Sequence, residues 1–432
     1  MRVLRLANVP KHLIIAASSW LSKIIIASVQ LVSIKFLLEI LGEESYAIFT
    51  LLTGLLIWFS IADIGVGSSL QNYISELRVK NESYDSYIKA AIHILFASLI
   101  IFSGTLFLLS GKVSSLYLSS FSYEMKNGLA TPFFIASVIF ITVGIGNVVY
   151  KILFAEQLGW KANAINAASY MLGLLGVFLI RYLNLNANIT TSLIALYAPV
   201  ALLPILYTLY RYIKIIKIDV SLDNYKSLLS RSTGFLMFSF LSILVLQADY
   251  IVISQKLSAT DIVKYTVTMK IFGLVFFIYT AVLQALWPLC AELRVKMQWE
   301  KLNKLVFINV FGGVLFISCS TLFIFIFKSY IYSIIAKNID YRISGMAFVL
   351  LAVYFSLRVW CDTFAMLLQS MNQLRILWFI VPCQALLGGA AQWILAGSYG
   401  IVGILWGLII SFALTVFWGL PVYYIYKIKG LA

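Results

Sequence analysis

Long apolar stretches recur along the whole sequence and limit what this chain can fold into more than any other feature. A helix needs about 20 apolar residues to cross the hydrocarbon core of a bilayer, where its backbone polar groups must be satisfied internally. We identify twelve such stretches, with connections too short to hold a separate soluble domain. The pattern predicts an all-α polytopic membrane protein of about twelve transmembrane helices, at roughly 13–38, 46–70, 87–110, 132–154, 162–182, 189–210, 233–254, 265–289, 303–327, 344–369, 374–396 and 400–425.

Composition excludes the common soluble classes. The 432-residue chain is 62% hydrophobic and only 11% charged, whereas soluble domains are about 45–50% apolar and about 25% charged. A chain this apolar could not cover its surface in water, which excludes a disordered protein, a nucleic-acid-binding domain and an ordinary soluble enzyme. An ATP-driven pump is also excluded, because the sequence has no G-x-x-x-x-G-K-[ST] phosphate-binding loop.

Cysteine and histidine are too sparse to predict a disulfide framework or a metal site. The two histidines, His12 and His93, lie in no Cys/His cluster. The four cysteines have no C-x-x-C spacing and lie in or beside apolar stretches, which is typical of buried free thiols: Cys290, Cys319, Cys361 and Cys383. We therefore expect no bound cofactor.

The distribution of basic residues predicts the orientation in the membrane. Lys and Arg total 32, against 17 Asp and Glu. If the N-terminus is cytoplasmic, the inner segments carry 20 of these basic residues, including Lys151 and Arg211, and the outer segments carry 8. Because cytoplasmic loops collect Lys and Arg, we expect both termini in the cytoplasm.

A repeated pentapeptide suggests an internal duplication. The sequence ELRVK occurs at 76–80, after the second stretch, and again at 292–296, after the eighth. The offset of 216 residues is half the chain length. We therefore predict an N-terminal six-helix half at 1–210, a cytoplasmic linker at 211–232 and a C-terminal six-helix half at 233–432. An even number of spans per half makes the halves parallel repeats around a central cavity, although 211–232 also fits a plain positively charged loop.

Five motifs, in order along nearly the whole chain, resemble those of a known family. They are LGEESYA at 41–47, ADIGVGSSLQN at 62–72, YKILFAEQ at 150–157, QADYIVIS at 247–254 and ALWP at 285–288. Together they resemble the O-antigen and capsule oligosaccharide flippases (Wzx type) of the multidrug, oligosaccharidyl-lipid and polysaccharide exporter superfamily.

The resemblance implies a MATE-like fold and a specific cargo. It implies movement of an undecaprenyl-diphosphate-linked sugar repeat unit from the cytoplasmic to the periplasmic leaflet, for O-antigen or related lipopolysaccharide and surface-polysaccharide synthesis. A polysaccharide polymerase and a chain-length regulator are the implied partners, besides the lipid bilayer. Twelve spans fit this family better than the fourteen of the lipid II flippases.

Three basic residues inside predicted spans are candidates for a substrate cavity. A charge at the bilayer centre costs about 2.5–3.5 kcal/mol on insertion scales, so Lys23 and Arg358, both near mid-depth, need a functional or structural partner. Lys270 lies nearer the outer end of its span. Polar residues share helix faces with Lys23 and Lys270, namely Gln30 and Gln284.

Each candidate also has a plainer interpretation. Lys23 could form a structural ion pair, and Lys270 could reach the lipid headgroups, as could Lys35, which has Glu39 four residues later. Arg358 and Asp362, four residues apart, could simply neutralise each other and fix helix packing. Alternatively, Arg358 faces the cavity, where its planar fork suits a diphosphate.

Three intramembrane carboxylates are candidates for ion coupling or for structural hydrogen bonds. Asp63 lies in the inner half of the second stretch and Asp249 in the outer half of the seventh, while Asp362 follows Arg358. The sequence does not separate coupling to H⁺ from coupling to Na⁺.

Two other functions compete with the flippase. A cation-coupled multidrug exporter of the same superfamily would need carboxylates for cationic drugs, which the basic residues at mid-depth argue against. A polysaccharide polymerase or ligase would usually need a large external loop, and the longest loop here has only about 20 residues. We therefore expect a transporter and not an enzyme.

Overall fold

The predicted all-helical architecture is confirmed in a computed structural model of the chain. It describes residues 11–119, 121, 128–183, 185, 187–295, 297–335, 344–370 and 375–429. Within those ranges the regular structure is helical, with a short 3₁₀ turn at Ser60–Asp63. The α-helices are α1 (Lys11–Phe59), α2 (Val66–Val79), α3 (Asp85–Tyr117), α4 (Ala130–Gly146), α5 (Val148–Ala155), α6 (Gly159–Tyr182), α7 (Ile189–Ile215), α8 (Leu222–Leu246), α9 (Ala248–Lys256), α10 (Ala259–Val295), α11 (Trp299–Ile326), α12 (Lys328–Ile335), α13 (Gly345–Ser370), α14 (Arg375–Leu414) and α15 (Val416–Lys429).

The described residues contain ten segments long and apolar enough to cross a membrane. Eight have 22–33 residues, a length that suits one crossing. The other two, Ala17–Asp63 and Ile376–Tyr426, have 47 and 51 residues. At 1.5 Å per residue each would extend about 70 Å as one straight helix, about twice the thickness of the hydrocarbon core.

The second long segment folds back on itself at Gly400, whose φ of 56° lies in the left-handed region. In a continuous helix Gly407 and Gln392 would be about 22 Å apart. Instead, a Cβ atom on Gly407 would lie 2.6 Å from the backbone nitrogen of Gln392, and one on Gly388 would lie 3.2 Å from Cβ of Ser411. Small residues on both arms permit this close approach, so the segment provides two crossings.

The first long segment also breaks, at Gly42 (φ 72°, ψ 175°), a conformation essentially confined to glycine. The two arms contact different helices. Ser18 accepts a hydrogen bond from Asn163 of α6 at 2.9 Å, whereas Leu51 O accepts one from Tyr117 of α3 at 3.1 Å. Ten segments thus accommodate the twelve predicted crossings.

Two predicted spans are interrupted beside a carboxylate, and two more, 132–154 and 400–425, are interrupted at Asn147 and Thr415. The stretch 46–70 contains the 3₁₀ turn and Gly65, and the stretch 233–254 breaks at Gln247, between α8 and α9. In both cases a carboxylate lies beside the break, Asp63 in the first and Asp249 in the second. Each break leaves backbone N–H and C=O groups without partners in a helix, and polar side chains are needed to satisfy them. Hydropathy alone does not reveal such breaks.

The chain forms two compact units, Met1–Phe240 and Leu241–Ala432, here called unit 1 and unit 2. The boundary falls inside α8. Residues 211–215 continue α7 and residues 222–232 begin α8. The parallel arrangement of two six-helix halves around a cavity stays a prediction.

Each unit has its own core. In unit 1, aliphatic residues such as Val66, Leu70 and Ile74 recur every fourth position of α2 and are fully buried. Unit 2 instead has an aromatic core between α10 and α13, in which Phe272 stacks on Phe355 at 5.7 Å between ring centroids. This aromatic core positions the site described next.

Candidate functional site

Arg358 lies at the centre of a polar cluster on one face of α13. Its Nη2 donates to Asp362 Oδ2 at 3.0 Å and its Nε to the same oxygen at 3.3 Å, so the ion pair that the spacing allows is present. Its Nη1 donates to Tyr354 Oη at 3.3 Å, one turn earlier. The guanidinium carbon lies 4.6 Å from the ring centroid of Phe276 in α10. The Arg358 side chain is 20% exposed and that of Asp362 is 31% exposed, so the pair remains accessible.

Asp249 is buried at the start of α9, in the same unit. Its carboxylate accepts a hydrogen bond from Tyr265 Oη at 2.6 Å and one from the backbone nitrogen of Tyr250 at 3.0 Å. Next to Asp249, the buried Oε1 of Gln247 has no hydrogen-bond partner within the described part of the chain. Unit 2 therefore holds both an accessible cation, Arg358, and a buried acid, Asp249.

The other predicted cavity residues are more scattered. Lys270 is half-buried on α10, and no ion pair to it is present among the described residues. The side chain of Gln284 lies outside the described part of the chain. Lys23, half-buried, and Gln30, exposed, belong to α1 of unit 1. The structure thus joins Arg358 to Asp362 and leaves the roles of these four residues as predictions.

Asp63 is held by contacts that the sequence does not predict. Its Oδ2 pairs with Lys151 Nζ of α5 at 3.0 Å, and its Oδ1 accepts from the backbone nitrogen of Gly65 at 2.9 Å. Lys151 also donates to Ser68 Oγ at 3.2 Å. A Cβ atom on Gly67 would lie 2.8 Å from Lys151 Cδ, so the missing side chain makes room for the lysine. These contacts favour a structural role for Asp63.

A second ion pair in unit 1 is not predicted by the sequence either. Arg211, which we counted among the inner basic residues, pairs with Glu156 at 2.7 Å, and Tyr84 Oη donates to the same carboxylate at 3.2 Å. Burial, followed by the neighbouring carboxylate, raises the pKa of Tyr84. Because 55 residues separate the charged partners, no local spacing in the sequence indicates the pair, and Arg211 begins the predicted linker at 211–232.

The chemistry available in unit 2 is anion recognition. A guanidinium offers donors in a planar fork that matches carboxylate or phosphate oxygens. In this structure Asp362 accepts two of those hydrogen bonds. The described residues contain no group of three or more His, Cys, Asp or Glu side chains that could hold a metal ion.

Comparison with curated proteins gives full-length relatives. The chain is 73% identical over 432 residues to the "Putative O-antigen transporter" of Salmonella typhi, with 100% of both chains covered. It is 56% identical to the protein of the same name from Salmonella typhimurium strain LT2, over 98% of each chain. It is 40% identical, over 96% of each, to the "Putative O-antigen export protein" of Yersinia pseudotuberculosis. No family model matches the chain.

Solved structures share the fold at low identity. The lipid II flippase MurJ in an inward closed conformation matches with a TM-score of 0.71 and 12% identity, covering 96% of this chain and 87% of that one. The MATE transporter VcmN of Vibrio cholerae matches with a TM-score of 0.64 and 14% identity, covering 96% and 97%. The MATE-like fold expected from the motifs is therefore confirmed. Together with the identity to full-length relatives, this shows that the chain is a multi-pass membrane protein that belongs to the O-antigen transporter family.

Proposed function

We propose that this chain is a flippase that carries lipid-linked O-antigen repeat units from the cytoplasmic to the periplasmic leaflet by alternating access. The names of relatives that match it end to end support this cargo, and the shared fold with a lipid II flippase supports the mode of transport. The excess of basic residues in alternate loops supports an inner-membrane location with both termini in the cytoplasm. A polymerase and a chain-length regulator would then act on the delivered units.

The accessible Arg358–Asp362 pair is the observation that carries the proposal. An isoprenoid-diphosphate sugar must move its charged headgroup across about 30 Å of hydrocarbon. A fixed cation inside the span lowers that barrier, because its attraction for the diphosphate offsets part of the lost hydration. Asp362 neutralises Arg358 in the empty transporter and yields to the diphosphate when cargo enters.

Coupling to an ion would supply the driving force. Asp249 is the best candidate, because its carboxylate is buried and its hydrogen-bond partners among the described residues are a tyrosine hydroxyl and a backbone amide, not a cation. Asp63 is a weaker candidate, since Lys151 already balances its charge. The coupling ion is H⁺ or Na⁺.

A deletion strain tests the proposed function. Loss of surface O-antigen, with single completed repeat units accumulating at the inner leaflet, is the expected result. Normal O-antigen together with raised sensitivity to cationic drugs would favour a multidrug exporter. Lost polymer with single units already on the outer leaflet would mean that the chain acts in polymerisation.

A further inference from the structure

A buried hydrogen-bond network joins three helices beside the Arg358 site. Asn309 Nδ2 of α11 donates to Tyr279 Oη of α10 at 2.9 Å and lies 3.3 Å from Thr363 Oγ1 of α13. Tyr279 Oη and Thr363 Oγ1 are 2.5 Å apart, and Thr363 donates to Val359 O at 2.6 Å. Every donor has an acceptor in this arrangement, as a buried network inside a membrane requires. The network will therefore resist rotation of α13 about its axis.

The network contacts α13 immediately next to the two charged residues. Val359 follows Arg358, and Thr363 follows Asp362. On α10, the Phe276 ring below the guanidinium lies one turn before the tyrosine of the network. Helix α10 thus contacts α13 at two positions. The Tyr279 hydroxyl bonds Thr363, and the Phe276 ring lies against the Arg358 guanidinium.

A glycine on α11 makes this junction possible. A Cβ atom on Gly313 would lie 2.5 Å from the Tyr279 ring and 2.8 Å from Cγ1 of Val359. Gly313 lies four residues after Asn309, on the same helix face. The absent side chain lets α11 approach closely enough for Asn309 to reach the tyrosine hydroxyl.

We propose that Tyr279, with Asn309 and Thr363, is a positioning device that fixes the rotation of α13 so that Arg358 meets the diphosphate of the cargo. This inference rests on the proposed function, because it assigns the network to the step in which Arg358 receives the substrate. Phe276 assists by holding the guanidinium plane.

Tyr279→Phe is the test variant, because it removes only the hydroxyl. Tyr332→Phe is its matched control. Tyr332 is equally buried in unit 2, but its hydroxyl lies 2.6 Å from Thr268 Oγ1 of α10, whereas the Tyr279 hydroxyl bonds Thr363 of α13. O-antigen export per inserted molecule is measured for each variant in a deletion strain, together with thermal stability in detergent. Each variant is then combined with Arg358→Lys.

We expect Tyr279→Phe to lower export about three- to tenfold, the equivalent of one hydrogen bond, and Tyr332→Phe to lower it less than about twofold at a similar loss of stability. On top of Arg358→Lys, the effect of Tyr279→Phe should shrink below about twofold, since the two residues act on one step. Equal effects of the two phenylalanine variants, or an undiminished effect in the Arg358→Lys background, would overturn the positioning role. Normal export by Arg358→Ala would instead overturn the role of Arg358, whereas normal O-antigen in the deletion strain would overturn the proposed function itself.

Discussion

The two units use charge in different ways. In unit 1 each described ion pair joins residues far apart in the sequence, on separate structural elements: Lys151–Asp63, Arg181–Glu39, Arg211–Glu156 and Arg231–Glu76. In unit 2 the described ion pair, Arg358–Asp362, lies within one helix, and tyrosine, threonine and asparagine side chains connect the helices.

This difference separates charges that hold structure from a charge that can act on cargo. A cation paired across helices cannot leave its partner without weakening the packing. A cation paired within its own helix can exchange partners while neutral hydrogen bonds keep the helices together. We therefore expect charge removal to damage stability in unit 1 and transport in unit 2.

The largest effect on stability should come from Glu156→Ala in unit 1. The Glu156 side chain is only 7% exposed, and its loss leaves Arg211 without its carboxylate. Breaking a buried pair from one side costs about 3–5 kcal/mol. We expect a large drop in the melting temperature of the detergent-purified protein. Glu156→Gln, which keeps an acceptor oxygen, should lower the melting temperature clearly less. A wild-type melting temperature for Glu156→Ala would refute the structural role of unit 1 charges.

A smaller loss is expected from Gly65→Ala, at the break between α1 and α2. Gly65 has φ 74°, and a Cβ atom there would collide with the carbonyl of Ser232 in α8. The left-handed conformation alone costs a non-glycine residue about 1–2 kcal/mol. Gly104→Ala is the control, because Gly104 is helical with open space around it. In thermal unfolding, Gly65→Ala should clearly lower the melting temperature and Gly104→Ala should not. Equal melting temperatures would argue against the close approach of Gly65 to Ser232.

A matched pair of aromatic substitutions sharpens the comparison between the units. Phe276→Leu in unit 2 should lower export per inserted molecule about two- to fourfold, in line with about 0.5–1 kcal/mol for a cation–π contact. It should also lower stability, because the Phe276 ring is buried against Phe355. Tyr73 carries the corresponding contact in unit 1, since its ring centroid lies 4.8 Å from the Arg231 guanidinium. Tyr73→Leu should lower the melting temperature and leave export per inserted molecule unchanged. The reverse pattern would contradict the assignment of functions to the units.

The smallest effect should come from the exposed pair of Glu76 and Arg231. The hydrogen bond from Arg231 lowers the pKa of Glu76, so the pair stabilises the fold above the ordinary carboxyl pKa. That stabilisation is lost as the pH falls through the lowered value. Glu76 is half exposed, so Glu76→Gln should cost less than about 1 kcal/mol at pH 7. Melting temperatures of wild type and Glu76→Gln should converge once the pH falls below the lowered pKa of Glu76; a difference that persists there would exclude this ion pair as its cause.

The sequence predicts the features that depend on neighbouring residues. The apolar stretches were sufficient to place the helices, because a bilayer demands long apolar segments whatever their tertiary contacts. The Arg358–Asp362 ion pair can also be predicted from the sequence, since residues four apart share one helix face. The breaks at Gly42 and Gly400 separate spans that hydropathy had already distinguished.

Features that depend on distant residues were not predicted. Lys151 meets Asp63 across 88 residues, and its sequence position suggested only a positively charged inner segment. Glu39 lies four residues after Lys35 but pairs with Arg181 at 2.7 Å. The Tyr279 network was missed because no local spacing marks Asn309 or Thr363 as its members. They come together only when three helices pack.

The central claim is that Arg358 acts on the cargo and is not needed for folding. The double variant Arg358→Gln with Asp362→Asn tests it directly, because it removes both charges together and leaves neither one unpaired. O-antigen export per inserted molecule should fall about 10- to 100-fold, the range for losing hydrogen bonds from a charged group, while the melting temperature stays near that of wild type. Export at the wild-type level from a stably inserted double variant would contradict the account.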